Sequence, residues 1–392
     1  MSKYNFDKSV IRRGTNCVKW DETDMEDTIP LWVADMDFEV LPEITEVLRK
    51  RVEHAVFGYA IVGDSYYDSI IQWFHRRHNW EIKREWIQYT IGVVPAVSAV
   101  IKALTMPGER VLVMSPIYNC FFSCIRNNGC EVLESPLLTT NDGSQPTYVV
   151  DWEDFERKCA DKKTTVFLLC NPHNPGGRVW TKEELQRMND ICRMHGVTVI
   201  SDEIHCELVM PGYSYTPFAS VSEDCAKNCV VCGSPSKSFN TAGLQMAHII
   251  CQNETWRRRI DRAININEIC DVNPFAPLAA EAAYKYGEKW IDELNEYIYQ
   301  NYQALCTFCA EKLPALKVYQ LEGTYLAWVD ITATGMTSGN LSRQLLSKGH
   351  VWVNSGPMYG TQTGEGFIRI NLATQRDRLM EGLNRIAKAL QC

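Results

Sequence analysis

From about residue 86 onward, short β-branched apolar runs alternate with segments whose apolar residues recur at helical spacing. That rhythm predicts an α/β fold with a mainly parallel sheet covered on both faces, because each crossover between parallel strands needs a helix. The predicted strands are Ile87–Ile91, Arg110–Met114, Thr165–Leu169, Thr198–Ser201 and Cys229–Cys232. Between the third and fourth, Thr181 and Glu184 have capping-box spacing, Leu185, Met188 and Ile191 share one helical face, and Gly196 closes the helix. The C-terminal part changes character: a long helix over Glu288–Leu313, strands around Tyr325–Val329 and Gly366–Ile370, and a terminal helix from Gln375. This predicts a second, smaller domain. With no internal repeat and no Pro/Gly/Ser-rich linker, the two are expected to pack closely.

In open α/β sheets ligands bind outside the carboxyl ends of the strands, so the residues that follow each predicted strand matter most. After Ile91 come Gly92, Val93, Val94 and Pro95 at a helix start, where free backbone N–H groups suit an anion such as phosphate. Ser115-Pro116-Ile117-Tyr118 follows the second strand, and Asn171-Pro172-His173-Asn174-Pro175-Gly176-Gly177 the third. The fourth is followed by Asp202-Glu203-Ile204-His205 and the fifth by Gly233-Ser234-Pro235-Ser236-Lys237-Ser238. Each alone has an ordinary structural reading: a lysine in solvent, an aspartate capping a helix, a Pro/Gly turn. Together they bring an anion cradle, an aromatic, an amide, a carboxylate, an imidazole and a lysine to one crevice. Ser234 and Lys237 also have the S-x-x-K spacing of serine acyl-transferring enzymes, but the accompanying S-D-N and K-T-G motifs are absent.

Composition narrows the function classes. The 392 residues are 45% hydrophobic and include 11 Trp, 17 Tyr and 13 Phe, enough for a large core and against disorder. The net charge is −8 with both signs interspersed, which argues against a nucleic-acid partner. No apolar run approaches the roughly 20 residues needed to span a bilayer. The opening MSKYNFDKSVIRRG carries no apolar stretch of the export type, so a cytoplasmic protein without a membrane partner is expected. Sixteen cysteines then read as reduced and mostly buried thiols. Cys225, Cys229 and Cys232 have the C-x3-C-x2-C spacing of an iron–sulfur ligand set, but alternation along a strand turns such sulfurs apart, and no metal is expected.

The constellation resembles the fold-type I pyridoxal-phosphate enzymes of the class I/II aminotransferase superfamily, through the N-P-x-N-P-x-G loop, the S-D-E strand end and the S-x-x-K lysine in that order. In detail it is most similar to the cystathionine β-lyase or cysteine-S-conjugate β-lyase branch. The matching segments are PLWVADMDF at 30–38, VFGYA at 56–60, GVVPAVS at 92–98, SDEIHCEL at 201–208 and SKSFNTAGLQ at 236–245. The resemblance spans nearly the whole chain. It implies a large domain with a mixed, mainly parallel seven-stranded sheet at 46–285, and a smaller α+β domain built from 286–392 and the N-terminal segment 1–45. It also implies a homodimer with shared active sites.

The resemblance assigns roles. Lys237 would bond covalently to pyridoxal 5'-phosphate and then remove the Cα proton of an amino-acid substrate; Asp202 would keep the cofactor's ring nitrogen protonated; Tyr118 would stack on the ring. Asn174 and His205 would bond the phenolic oxygen, and a neutral imidazole there predicts activity that changes between mildly acidic and neutral pH. Gly92, Val93, Val94 and Ser234 would hold the phosphate, with Ser236 a weaker candidate and Tyr59 reaching it from the neighbouring subunit. Arg369 would grip the substrate carboxylate, with Tyr59 and Asn119 also on the substrate side; taken alone, an arginine on a strand is more often a surface ion pair. The implied reaction is α,β-elimination of L-cystathionine or related S-substituted L-cysteines to thiol, pyruvate and ammonia, and the alternative is transamination with a 2-oxo acid. Where several β-lyases of the branch carry a second tyrosine, Asn119 and Cys120 follow Tyr118 here. Met210–Tyr215 lies where it would shape access or simply pack.

Overall fold

Strands that are covered on both faces read as continuous apolar runs, and the computed structural model, which describes residues 3–25, 27–140, 145–266 and 271–391, forms every strand predicted on that basis to within a residue or two. The strands of the main sheet are β1 (Ile87–Thr90), β2 (Arg110–Ser115), β3 (Glu131–Pro136), β4 (Thr164–Cys170), β5 (Thr198–Asp202), β6 (Cys229–Gly233) and β7 (Ala247–Ile250). Their spatial order is β1-β7-β6-β5-β4-β2-β3 in a seven-stranded sheet. Only β7 runs antiparallel, pairing β1 on one side and β6 on the other. Sequence pattern missed β3 and β7. The first is an edge strand whose Glu131, Glu134, Ser135 and Pro136 break the apolar run; the second is four residues long and contains His248.

Alternation along the strands splits the core into two layers. Val111, Val113, Val166, Leu168, Ile200, Val230 and Cys232 pack in one layer, and Leu112, Met114, Phe167, Leu169, Val199, Cys229 and Val231 in the other. The sheet therefore stands between Cys232 and Cys229, whose layer also holds Cys225, which is the sulfur separation that strand alternation requires. The helix Lys182–Met194 that joins β4 to β5 begins with both halves of its capping box: Glu184 N–H donates to Thr181 Oγ1 at 3.1 Å and Thr181 N–H to Glu184 Oε2 at 2.8 Å. It ends at Gly196, whose φ of 72° is the left-handed conformation that glycine tolerates best. No helix of the described residues is long and apolar enough to cross a membrane.

The C-terminal part follows the helix Glu288–Lys312 with a four-stranded antiparallel sheet, β8 (Lys317–Val318), β9 (Leu326–Asp330), β10 (Asn354–Ser355) and β11 (Phe367–Asn371), in the order β8-β9-β11-β10. The terminal helix is Arg376–Gln391. The N-terminal chain joins this part: Ile29 pairs with Val351, and Leu31 N–H donates to Trp352 O at 2.8 Å. Just beyond, Asp37 is buried among cations. Lys19 Nζ lies 3.0 Å and Arg12 Nη1 2.8 Å from its carboxylate, and Trp20 Nε1 donates to it at 2.9 Å. Burial alone would raise the Asp37 pKa, but Lys19, Trp20 and Arg12 together hold it below the usual carboxylate value. Asp37→Ala leaves the fully buried Lys19 ammonium without its nearest partner, so it should destabilise the fold by about 3 kcal/mol. A denaturant midpoint unchanged from wild type would refute that cost.

Candidate active site

The carboxyl ends of β1, β2, β4, β5 and β6 surround a cavity of about 200 Å³. Gly92, Val93 and Val94 line it at the start of the helix Val93–Leu104, where no side chain caps the first turn. Those backbone N–H groups and the positive end of the helix dipole make an anion site. Tyr118 and Asn174 line it from the ends of β2 and β4, Asp202 and His205 from β5, and Ser236 and Lys237 from the turn after β6. The loop carrying Asn174 is held from behind: Gly177 N–H donates to His173 O at 2.8 Å, and the N–H groups of Glu322 and Gly323 donate to Gly177 O at 2.8 and 2.9 Å. Gly177 has φ of 70°, and a Cβ there would sit 3.0 Å from Leu321 Cδ1, so both backbone and packing call for glycine.

Residues 30–38 run past the cavity as a strap from which Ala34 lines it, and their main-chain carbonyls are the attachment points. Ala34 O accepts from Lys237 Nζ at 2.6 Å and from Tyr325 Oη at 3.0 Å. Asn371 Nδ2 donates to Val33 O at 2.6 Å and Asp35 O at 2.7 Å, and Asn240 Nδ2 to Met36 O and Phe38 O at 3.0 Å each. Arg369 joins strap to site: Nη2 donates to Trp32 O at 3.1 Å, Nη1 to Asn174 Oδ1 at 3.0 Å, and its guanidinium lies 4.7 Å above the Tyr359 ring. Arg369 is 3% exposed, and its Nε has no partner among the described residues, so the picture of a strand arginine in a surface ion pair does not hold.

Burial governs the charges. Asp202 is pushed up to about 7, chiefly by desolvation, with Glu203 adding to the rise and Ile204 N–H and Lys237 opposing it. Desolvation likewise lowers Lys237, assisted by Arg369 and opposed by Asp35 and Asp202. The Tyr118 phenol is raised by burial and by Cys120 beside it. His205 is driven down to about 3 by burial, with Lys237 and Arg369 adding to the effect. Its imidazole is therefore neutral from mildly acidic to neutral pH, so His205 is not the source of the pH response expected there: desolvation outweighs the intrinsic basicity on which that expectation rested.

Several predicted residues lie elsewhere. Ser234 Oγ donates to Met246 O at 2.7 Å and accepts from Ser236 N–H at 3.1 Å, so it shapes the turn while Ser236 lines the cavity, reversing the expected ranking of the two serines. Asn119 opens the helix after Tyr118 and does not line the cavity. Tyr59, expected to act in a neighbouring subunit's site, is 96% exposed and outside the cavity of its own chain, as that expectation allows. Tyr213 and Tyr215 pack rather than gate: Tyr213 Oη meets Gln320, and buried Tyr215 donates to Glu203. The sequence reading missed Gln245 and Met246 in the lining, and the Ala34 carbonyl. Gln245 is the last residue of the matched SKSFNTAGLQ segment and Met246 follows it, which was the only signal available; a main-chain oxygen leaves none.

Pyridoxal phosphate fits this donor set. An amine stands in a cavity with an uncapped helix start for a phosphate, a carboxylate for a ring nitrogen, and buried His205 Nδ1 without a partner among the described residues.

Comparison with known proteins agrees with that chemistry. A profile described as aminotransferase class I and II matches residues 26–386. Cystathionine beta-lyase PatB of Bacillus subtilis (strain 168) is 42% identical over 390 residues, covering 98% of this chain and all of that protein. The crystal structure of cystalysin from Treponema denticola, which contains a pyridoxal 5'-phosphate cofactor, superposes with a TM-score of 0.92 at 35% identity and 99% coverage of both chains. The PLP-bound C-S lyase from Staphylococcus hominis gives 0.90 at 30% identity, also with 99% coverage of each.

Proposed function

The chain belongs to the aminotransferase class I and II family, and from that membership we propose how its cavity works. The protein is a pyridoxal-phosphate-dependent carbon–sulfur β-lyase of fold type I, acting on L-cystathionine or related S-substituted L-cysteines. The observation that carries the site reading is the Lys237 amine, lowered in proton affinity, sharing one cavity with Asp202 and neutral His205.

When bound, the cofactor supplies a carbonyl that condenses with amines and a protonated ring that accepts the electrons left when the substrate loses its Cα proton. The side chains do the rest. Lys237 holds the cofactor and then takes the Cα proton; its lowered pKa increases the neutral fraction able to do so. Asp202 holds the proton on the ring nitrogen. Gly92, Val93, Val94 and Ser236 hold the phosphate, Tyr118 covers the ring, and Asn174 and His205 orient its phenolic oxygen. Arg369 binds the substrate carboxylate, its unpartnered Nε and its place beside Asn174 supporting that role. With the proton at Cα removed, a thiolate leaves Cβ, and the remaining fragment hydrolyses to pyruvate and ammonia.

A homodimer completes the reading. Phe57, Tyr59 and Ile61 are 57%, 96% and 87% exposed, an outward apolar run suited to a second copy of the chain. The N-terminal segment 1–45 belongs with 286–392 around the large domain 46–285, as the Ile29–Val351 pairing supports. Among the described residues the cysteines are unpaired thiols, which suits a cytoplasmic setting.

The decisive experiment is incubation of the cofactor-loaded protein with L-cystathionine without any 2-oxo acid. Equimolar thiol and pyruvate are expected, continuing over many turnovers. Amino transfer that starts only when a 2-oxo acid is added, with no thiol released, would overturn elimination in favour of transamination.

A further inference from the structure

Behind Asp202 lies a second carboxylate that the reaction above leaves unused. Side chains alternate along β5, so Asp202 points to one face of the sheet and Ser201 to the other, where Glu203, the residue just beyond the strand, meets the Ser201 hydroxyl. Glu203 is 1% exposed. Its Oε1 accepts from Ser201 Oγ at 2.8 Å, Phe218 N–H at 2.9 Å and Asn171 Nδ2 at 3.4 Å, and its Oε2 accepts from Tyr215 Oη. Four donors converging on two oxygens suit the ionised form, which only accepts. The main chain is pinned at the same place: Glu203 N–H donates to Cys232 O at 2.8 Å, and Asn171 N–H to Asp202 O at 2.9 Å. Glu203 thus ties the ends of β4 and β5 and the chain at 215–218 together where Asp202 leaves the sheet.

We propose that Glu203 is a positioning residue for Asp202, fixing its backbone and setting a second negative charge behind it, so that the two carboxylates together retain the proton on the cofactor's ring nitrogen. This rests on the assignment of Asp202 made above. Desolvation is the largest cause of the raised proton affinity of Asp202, and the charge of Glu203 adds to it. Glu203 is itself raised by burial and pulled back by its four donors. The other titratable groups around the pair are Tyr215, Cys206 and Cys229 on the Glu203 side, and Lys237, Tyr118, Cys124, Cys170 and Cys232 on the Asp202 side. Burial raises all these tyrosines and cysteines above their ordinary values, so they stay neutral at working pH. Glu203 and Asp202, opposed by Lys237 and by Arg369 beyond it, therefore set the field at the nitrogen.

The test is a 15N NMR pH titration of the enzyme loaded with cofactor labelled at the ring nitrogen, run beside the pH profile of kcat. Glu203→Gln keeps the size and the acceptor oxygen but removes the charge. Its ring nitrogen should lose the proton about one pH unit lower than in wild type, roughly a tenfold change, and the alkaline limb of kcat should move with it. Tyr215→Phe keeps the charge and removes a dipole that screens it, so the same midpoint should move upward; it carries the test if the glutamine variant does not fold. A midpoint that stays put in Glu203→Gln while kcat falls would reduce Glu203 to a purely structural brace and overturn the proposal, as would a fixed or lowered midpoint in Tyr215→Phe. Asp202→Asn separates the two levels: if it leaves the wild-type titration intact, the assignment of Asp202 itself fails, whereas its loss there with no shift in Glu203→Gln sinks only the role of Glu203.

Discussion

Lys237→Ala should lower the rate of thiol and pyruvate release from L-cystathionine by about 10³-fold or more, because it removes the only amine among the described residues that line the cavity. General-base catalysis contributes about 10²–10⁴-fold, and the same side chain also attaches the cofactor. The fold should survive. Lys237 Nζ makes one hydrogen bond, to Ala34 O, and that oxygen keeps the Tyr325 hydroxyl. The phosphate cradle at Gly92, Val93 and Val94 is untouched, so the variant should still take up cofactor, now removable by dialysis. Small primary amines added to the variant should restore part of the rate, since the missing group is a proton acceptor of that chemistry. Retention of more than a tenth of wild-type kcat would mean that another group removes the Cα proton.

Asp202→Asn is expected to cost nearly as much turnover, again about 10³-fold, because a neutral amide does not hold a proton on the ring nitrogen. The cofactor-free protein gives a second readout. Folded Asp202 titrates near 7, against 3.8 for an unperturbed aspartate. Between those values the folded state holds a proton that the unfolded chain has lost, so the contribution of this group to stability falls as pH rises from about 4 to 7. Asparagine does not titrate. The stability of the variant relative to wild type should therefore improve across that window and level off above it. His173, His205 and His248, each driven down to about 3 by burial, are common to both proteins and cancel in the difference. Thermal melting of both cofactor-free proteins from pH 5 to 8 checks this; a difference that is flat with pH would place the Asp202 carboxyl in a far more polar setting than its burial indicates.

Much of this site is legible in the chain because strand ends announce themselves. The apolar runs that became β2, β4, β5 and β6 stop where Ser115, Asn171, Asp202 and Gly233 begin, and the chemistry-bearing residues follow within a few positions. Local interactions account for the clearest successes: the capping box of Thr181 and Glu184 needs only contacts three residues apart. Failures came where a distant partner decides. Ser234 looks like a phosphate ligand until Met246 O claims its hydroxyl, and edge strand β3 has no pattern of its own until β2 supplies the ladder.

The order of the predicted strands and helices, and the amine, carboxylate, amide and imidazole set beyond the strand ends, were determined by the sequence alone, since hydrophobic periodicity and turn chemistry act over a few residues, whereas β3 and β7 emerged only with their partner strands. The tertiary structure decided which of those groups share one cavity and what charge each carries there. Gly92 and Lys237 meet only because the sheet brings β1 and β6 to opposite sides of the intervening β7. The strap over the site is held through the carbonyls of Trp32, Val33, Ala34, Asp35, Met36 and Phe38, atoms identical in every residue. A histidine that ordinarily titrates near neutrality is held neutral at position 205, and an ordinarily acidic aspartate reaches about 7 at position 202. Proton affinity depends on the dielectric and charges around a group, and those surroundings exist only once the chain has folded.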